Sequence, residues 1–149
     1  MRAISLWQPW ASAIGVKIFE TRHWDTKYRG PIAIHAAKRR RVGEINAMLA
    51  DPRWQHALRD LVGLHPRGWD FPVTIDDLPY GAIVSTGMLV ETRPTDTMTG
   101  EEWPSGHFDI FGDYSPGRFA WKIEDVNRIE PIYCNGCQSF FQVDIPGCG

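Results

Sequence analysis

Cysteine is scarce in this 149-residue chain: three residues, Cys134, Cys137 and Cys148, all near one end. An odd number so placed excludes the disulfide framework of a small secreted scaffold and is expected to persist as thiols in a reducing compartment. Long apolar runs are also missing. No window reaches the roughly 18 to 20 consecutive apolar residues of a membrane span, and "MRAISLWQPW" has neither the apolar segment nor the small-residue cleavage site of a signal peptide. The expectation is a cytoplasmic protein with no membrane partner. Internal repeats, low-complexity tracts and linkers are absent too, which predicts one domain over residues 1–149. What is abundant is core material: 43% hydrophobic residues, seven of them tryptophan, enough for a core of its own.

The net charge of −2 hides an asymmetry. Residues 1–41 carry nine Lys/Arg against two Asp/Glu, and residues 42–149 carry seven against sixteen. One basic surface on an acidic body fits a polyanionic partner. A solvated helix start accounts for "KRRR" at 38–41 equally well, because short basic runs are common.

Along the chain, "QPWASAIG" reads as a short helix, with Pro9 at its start, Trp10 and Ile14 on one face and Gly15 able to cap it. "KIFETR" reads as a strand, on which Glu20 and Arg22 share one face while Phe19 and Thr21 take the other. "PIAIHAAK" alternates Ile32, Ile34 and Ala36 against Ala33, His35 and Ala37, a second strand. From Arg40 to about Leu64 the pattern is helical, broken at "DPRW", where Asp51 can cap a helix opened by Pro52 that turns Trp54, Leu58, Leu61 and Val62 inward. "GAIVSTGMLVET" and "GRFAWKIED" are further strands, the latter with Phe119, Trp121 and Ile123 on one side, and "QSFFQVD" is the last. Residues 92–117, rich in Thr, Pro, Gly and acids, form a long connection. Short strands interrupted by one helical excursion give the class α+β, a small barrel with flanking helices.

Three motifs in order, "SLWQPWA", "GVKIFETR" running on to "YRGPIAIHAAK", and "GRFAWKIEDV", resemble the ASCH domain family over nearly the whole chain. The resemblance implies a PUA-like β-barrel associated with RNA or modified nucleotides. It also implies a cleft between barrel and first helix lined by the lysine, acid and arginine of the G-x-K-x-x-E-x-R motif, here Lys17, Glu20 and Arg22. The chain departs from the family near its end. Where members often carry a basic "RGRQG"-like turn, "CNGCQSF" keeps Gly136 and Gln138 but no arginine, which removes positive charge from one wall of the implied cleft.

Several chemistries are open to these residues. Lys17 and Glu20 can be an ion pair or a reactive pair, a desolvated lysine as base or nucleophile with the carboxylate shuttling protons. One ASCH-like group hydrolyses N4-acetylcytidine with a lysine, a threonine and a later glutamate. Lys17 fits, but Glu20 stands where that threonine would, Thr21 is displaced to the opposite face, and Glu91 is the candidate acid. Another group consists of metal-assisted single-strand ribonucleases, for which Tyr28, Arg29, His35 and Lys38 are candidates and a divalent cation a conditional cofactor; His35 is equally readable as a packed histidine. Recognition without catalysis needs only cations for phosphates and flat side chains for a splayed base. Trp7, Gln8 and Trp24, with Arg22, Tyr28, Arg29, His35 and Lys38, are the candidate ligand contacts. Trp54 and Trp121 are assigned to the core, and Trp10 to helix packing. "CNGC" has zinc-knuckle spacing without four ligands. The leading expectation is binding of single-stranded RNA or a modified nucleoside without a cofactor; the rivals are the two hydrolytic activities.

Overall fold

A computed structural model of the protein describes residues 1–16, 19–98 and 112–146. Strand β1 (Arg2–Leu6) leads into a one-turn helix α1 (Trp10–Ala13), followed by β2 (Phe19–Arg22) and β3 (Gly30–Ala36). The helical excursion comprises α2 (Val42–Leu49) and α3 (Pro52–Gln55), the latter continuing as a π-helical segment over His56–Leu61. Two long strands, β4 (Ala82–Pro94) and β5 (Phe119–Tyr133), and a two-residue β6 (Phe141–Gln142) complete the sheet.

The strands form one six-stranded sheet in the order β2-β5-β4-β3-β1-β6, with β1 and β3 parallel and all other neighbours antiparallel. The expected barrel is not closed. Among the described residues β2 pairs only with β5 and β6 only with β1, so both edges keep an unpaired side there, and β6 is too short to offer a ladder. The segments beyond these edges meet through aromatic rings: Trp24, just past β2, stands edge-on to Phe140, just before β6, with centroids 5.4 Å apart. Side-chain packing takes the place of the closing hydrogen bonds. Bulges between Ile83 and Ser85, Thr86 and Met88, and Leu89 and Glu91 bend the long β4–β5 pair.

The alternation of β3 is realised on both faces. Ile32, Ile34 and Ala36 join Ile4, Leu6, Leu89 and Trp121 in the main core, which Ala11 and Ile14 of the α1 region cover. Ala33 packs on the other face with Ala3, Ile83 and Ile145. A second cluster lies under the helices, where Ile45, Leu49, Trp54, Leu58 and Leu64 surround Ala13 of α1. Asp51 caps α3 as expected, its side chain accepting from the Arg53 amide, with Pro52 in the first turn. Leu61 is a correction: it is 45% exposed. The π segment, seen in the Val62 N–H donating to the Ala57 carbonyl five residues back, fits more residues into a turn than an α-helix does. The apolar stripe therefore rotates, and Leu61 faces outward. The connection expected to start at residue 92 starts later, since Thr92–Pro94 still belong to β4; residues 99–111 lie outside the described residues. Among the described residues no helix is long and apolar enough to cross a membrane.

Candidate nucleotide cleft

The parallel pair β1–β3 ends at Leu6 and Ala36, and three backbone hydrogen bonds fix the segments beyond it. The Ala37 amide donates to the Leu6 carbonyl (2.8 Å), the Gly81 amide to the Ala36 carbonyl (2.8 Å) and the Cys134 amide to the Gly81 carbonyl (3.0 Å). Gly81 adopts φ +65°, a left-handed backbone conformation that a side chain would resist. The ends of β1, β3 and β5 are thereby held beside the end of β2, and the gap between the open sheet edges becomes a cavity of about 1040 Å³. Its walls include Ser5, Trp7, Arg22, Trp24, His35, Lys38 and Arg39, and the turn Cys134–Ser139.

A second cavity of about 440 Å³ adjoins it, sharing Ser5, Trp7, Arg22 and His23. It adds Trp10, Glu20, Thr21, Arg41, Asp113 and Arg118. Glu20 and Arg22 both line it from β2, but Thr21, expected on the opposite face with Phe19, lines it as well, because the chain near Asp113 folds over Thr21; Phe19 packs away with Met98 and Ala120. The chain after the undescribed residues lies over this site, the Asp113 amide donating to the Thr21 hydroxyl (2.9 Å) and the Arg118 guanidinium to the Thr21 carbonyl (3.2 Å).

Arg22 sits at the junction of the two cavities. Burial pushes its guanidinium below the ordinary value; the nearby Glu20 carboxylate opposes this and Arg118 adds to it. Its Nε is buried without a hydrogen-bond partner among the described residues. The charge lies against Trp24 and Trp121, 5.4 and 6.0 Å from their ring centroids. Lys38 and Arg39 are exposed on the rim and form no ion pair among the described residues. Trp7, 38% exposed, carries the Arg41 guanidinium over its ring at 5.1 Å.

Of the residues expected from sequence, Trp7, Glu20, Arg22, Trp24, His35 and Lys38 come together around the two cavities. Lys17 lies outside the described residues. Gln8, Tyr28 and Arg29 line neither cavity. Gln8 is buried, its amide donating to the Ser12 hydroxyl and the Pro79 carbonyl (both 2.8 Å). Tyr28 donates to the Pro31 carbonyl (2.6 Å) under the Arg2 guanidinium, and Arg29 ties Thr26, Tyr28 and Thr92 together. Glu91 lies on β4 with its carboxylate 3.7 Å from Arg93, away from both cavities. His35 is 2% exposed, with Nδ1 2.9 Å from the Ser5 hydroxyl and Nε2 2.9 Å from the Cys134 carbonyl. Trp54 and Trp121 are core, and Trp10 stands edge-on to Trp54.

Sequence reasoning missed Ser5, His23, Arg39, Arg41, Arg118 and Asn135 as wall residues. The "KRRR" run signalled two of them; nothing local signals Ser5 or Arg118, which long-range pairing delivers. Cys134 and Cys137 both line the larger cavity as free thiols, and among the described residues no group of three or more His, Cys, Asp or Glu is placed to hold a metal.

Comparison with known proteins places this geometry. The profile of the ASCH domain family matches residues 4–131. The fold is similar to a crystal structure of an ASCH protein from Zymomonas mobilis, at 16% identity and a TM-score of 0.51, covering 96% of this chain and 87% of that one. It is equally similar to the structure of a tyrosine-to-phenylalanine mutant of the Zymomonas mobilis protein, at 16% identity and a TM-score of 0.50, covering 96% and 89%. No curated protein matches the sequence.

Proposed function

The chain belongs to the ASCH domain family, and from that premise we infer that it binds a nucleotide or a short single-stranded RNA segment in the paired cavities. The observation that carries this reading is the junction at Arg22, a half-buried side chain that lines both cavities and whose Nε is buried without a hydrogen-bond partner among the described residues. Around it lie the ingredients of single-strand recognition: cations at Lys38, Arg39, Arg41 and Arg118, and indole faces at Trp7 and Trp24. In this reading the larger cavity takes a base between Trp7 and Trp24 and the amides of Asn135 and Gln138, and Lys38 and Arg39 take the adjoining phosphates. Glu20 accepts from base-edge amino groups in the smaller cavity. The amidohydrolase alternative depends on Lys17, and of the ribonuclease candidates only His35 and Lys38 line the larger cavity while Tyr28 and Arg29 lie outside it, so binding is the function argued from the described residues.

Fluorescence anisotropy of a labelled single-stranded RNA oligonucleotide, repeated over a salt series, tests the reading. About three phosphate contacts give a slope of log K against log salt near −2, so affinity falls roughly 20-fold between 50 and 200 mM salt. The double substitution Lys38→Ala, Arg39→Ala flattens that slope. No saturable binding at low salt, or a slope unchanged in the double variant, overturns the assignment.

A further inference from the structure

We propose that Ser5 and His35 form a nucleophile–base pair that gives this protein a carboxylic-ester hydrolase activity at the floor of the larger cavity. The two residues are register partners on the parallel strands β1 and β3, so their side chains leave the sheet side by side on one face. The Ser5 hydroxyl lies 2.9 Å from His35 Nδ1. The other ring nitrogen, Nε2, lies 2.9 Å from the Cys134 carbonyl oxygen, which can only accept. Nε2 therefore carries the ring proton. With the imidazole neutral, Nδ1 is an acceptor and the serine donates to it, which is the arrangement of nucleophile, base and orienting group required to activate a hydroxyl.

Two features separate this pair from a cross-strand contact that merely satisfies a buried histidine. Ser5 is not sealed: it forms part of the wall of both cavities while the imidazole behind it is buried. Gly136 presents bare backbone to the pair, since a β-carbon there would stand 3.1 Å from Ser5 Oγ and 2.6 Å from His35 Cε1. The hydroxyl lies between the cavity space it lines, the backbone of Gly136 packed closely against it, and a fixed base.

The reaction balances without a further reagent. Ser5 Oγ bonds to the ester carbonyl carbon as its proton passes to His35 Nδ1, and the carbonyl electrons move to an oxyanion in a cavity walled by Arg22 and Lys38. Collapse breaks the bond to the alcohol, which leaves with the proton from Nδ1. Water then attacks acyl-Ser5 in the same way, releasing the carboxylic acid and restoring the hydroxyl. The cationic wall selects esters whose alcohol part is anionic. The activity is independent of RNA affinity and is tested without RNA.

The purified protein is treated with a fluorophosphonate probe and its adduct mapped by peptide mass spectrometry, in parallel with hydrolysis of p-nitrophenyl acetate. One equivalent of probe on Ser5 is expected, with loss of adduct and turnover in Ser5→Ala and at least about 100-fold slower labelling in His35→Gln. Circular dichroism establishes that each variant is folded. Absence of an adduct at Ser5, or an undiminished rate in folded His35→Gln, overturns the proposal. If His35→Gln is unfolded, the Ser5→Ala comparison decides: an adduct elsewhere, or unchanged ester turnover, refutes it.

Discussion

Replacing Gly136 by alanine probes how the cleft wall is held. The added methyl would stand 2.6 Å from His35 Cε1, 2.7 Å from His35 Nδ1 and 3.1 Å from Ser5 Oγ, inside contact distance of a side chain that cannot swing away. His35 is buried, pinned at both nitrogens and backed edge-on by Phe141 at 5.6 Å. The turn must therefore move outward, and the contact it gives up first is the hydrogen bond between the Cys134 carbonyl and His35 Nε2. Losing one such bond to a buried group costs about 1–3 kcal/mol. The turn is otherwise exposed and can shift without repacking the core, so the crowding adds little beyond this. At about 2–4 °C per kcal/mol for a chain of this size, the melting temperature falls by roughly 2–12 °C. Differential scanning calorimetry of the two proteins at matched pH and salt reads this directly. A melting temperature within about 1 °C of the parent would refute the claim that the turn is locked to His35.

Three other perturbations separate recognition from stability. Trp7→Ala removes the exposed indole under Arg41; if it stacks a base, affinity for single-stranded RNA falls by about 1–3 kcal/mol in anisotropy titrations while the melting temperature barely moves. Gly87→Ala places a methyl 2.7 Å from Ile123 Cγ2 and 3.1 Å from the Glu124 carbonyl on the facing strand, and its urea midpoint should drop by the equivalent of about 1–3 kcal/mol. Burial pushes the Asp77 carboxyl up, but hydrogen bonds from Thr74 and Arg67 outweigh it and hold the group below its ordinary value. Such a depressed carboxyl contributes stability that is present above the unfolded value of about 3.9 and is lost as pH falls through the lower folded value. Asp77→Asn, compared with the parent by thermal melts from pH 6 to 2, should lose less stability over the acid limb; parallel curves would refute this role.

What the sequence revealed and what it hid divide along the range of the forces involved. The two-residue period of β3 sorted Ile32, Ile34 and Ala36 from Ala33 and His35, and the same period put Glu20 and Arg22 on one face of β2, because side-chain alternation is fixed by local backbone geometry. Asp51 and Pro52 marked a helix start for the same reason. Leu61 escaped because a π turn changes the angular step without any residue type announcing it. Closure of the sheet was not legible either: whether β2 and β6 pair depends on how far β6 extends, and Trp24 meeting Phe140 ends that approach with rings instead of hydrogen bonds. The cleft shares this origin. Its charged wall at Lys38–Arg41 is a run visible in the sequence, but Ser5 reaches it through pairing with His35, 30 residues away, and Arg118 and the turn Cys134–Ser139 through contacts across more than 90 residues of chain, as the Thr21–Arg118 and His35–Cys134 bonds do. The incomplete barrel and the cleft are then one feature. The edges that fail to pair leave the gap, and the residues at or just beyond them, Arg22 to Trp24 at the end of β2 and Cys134 to Ser139 before β6, become its walls.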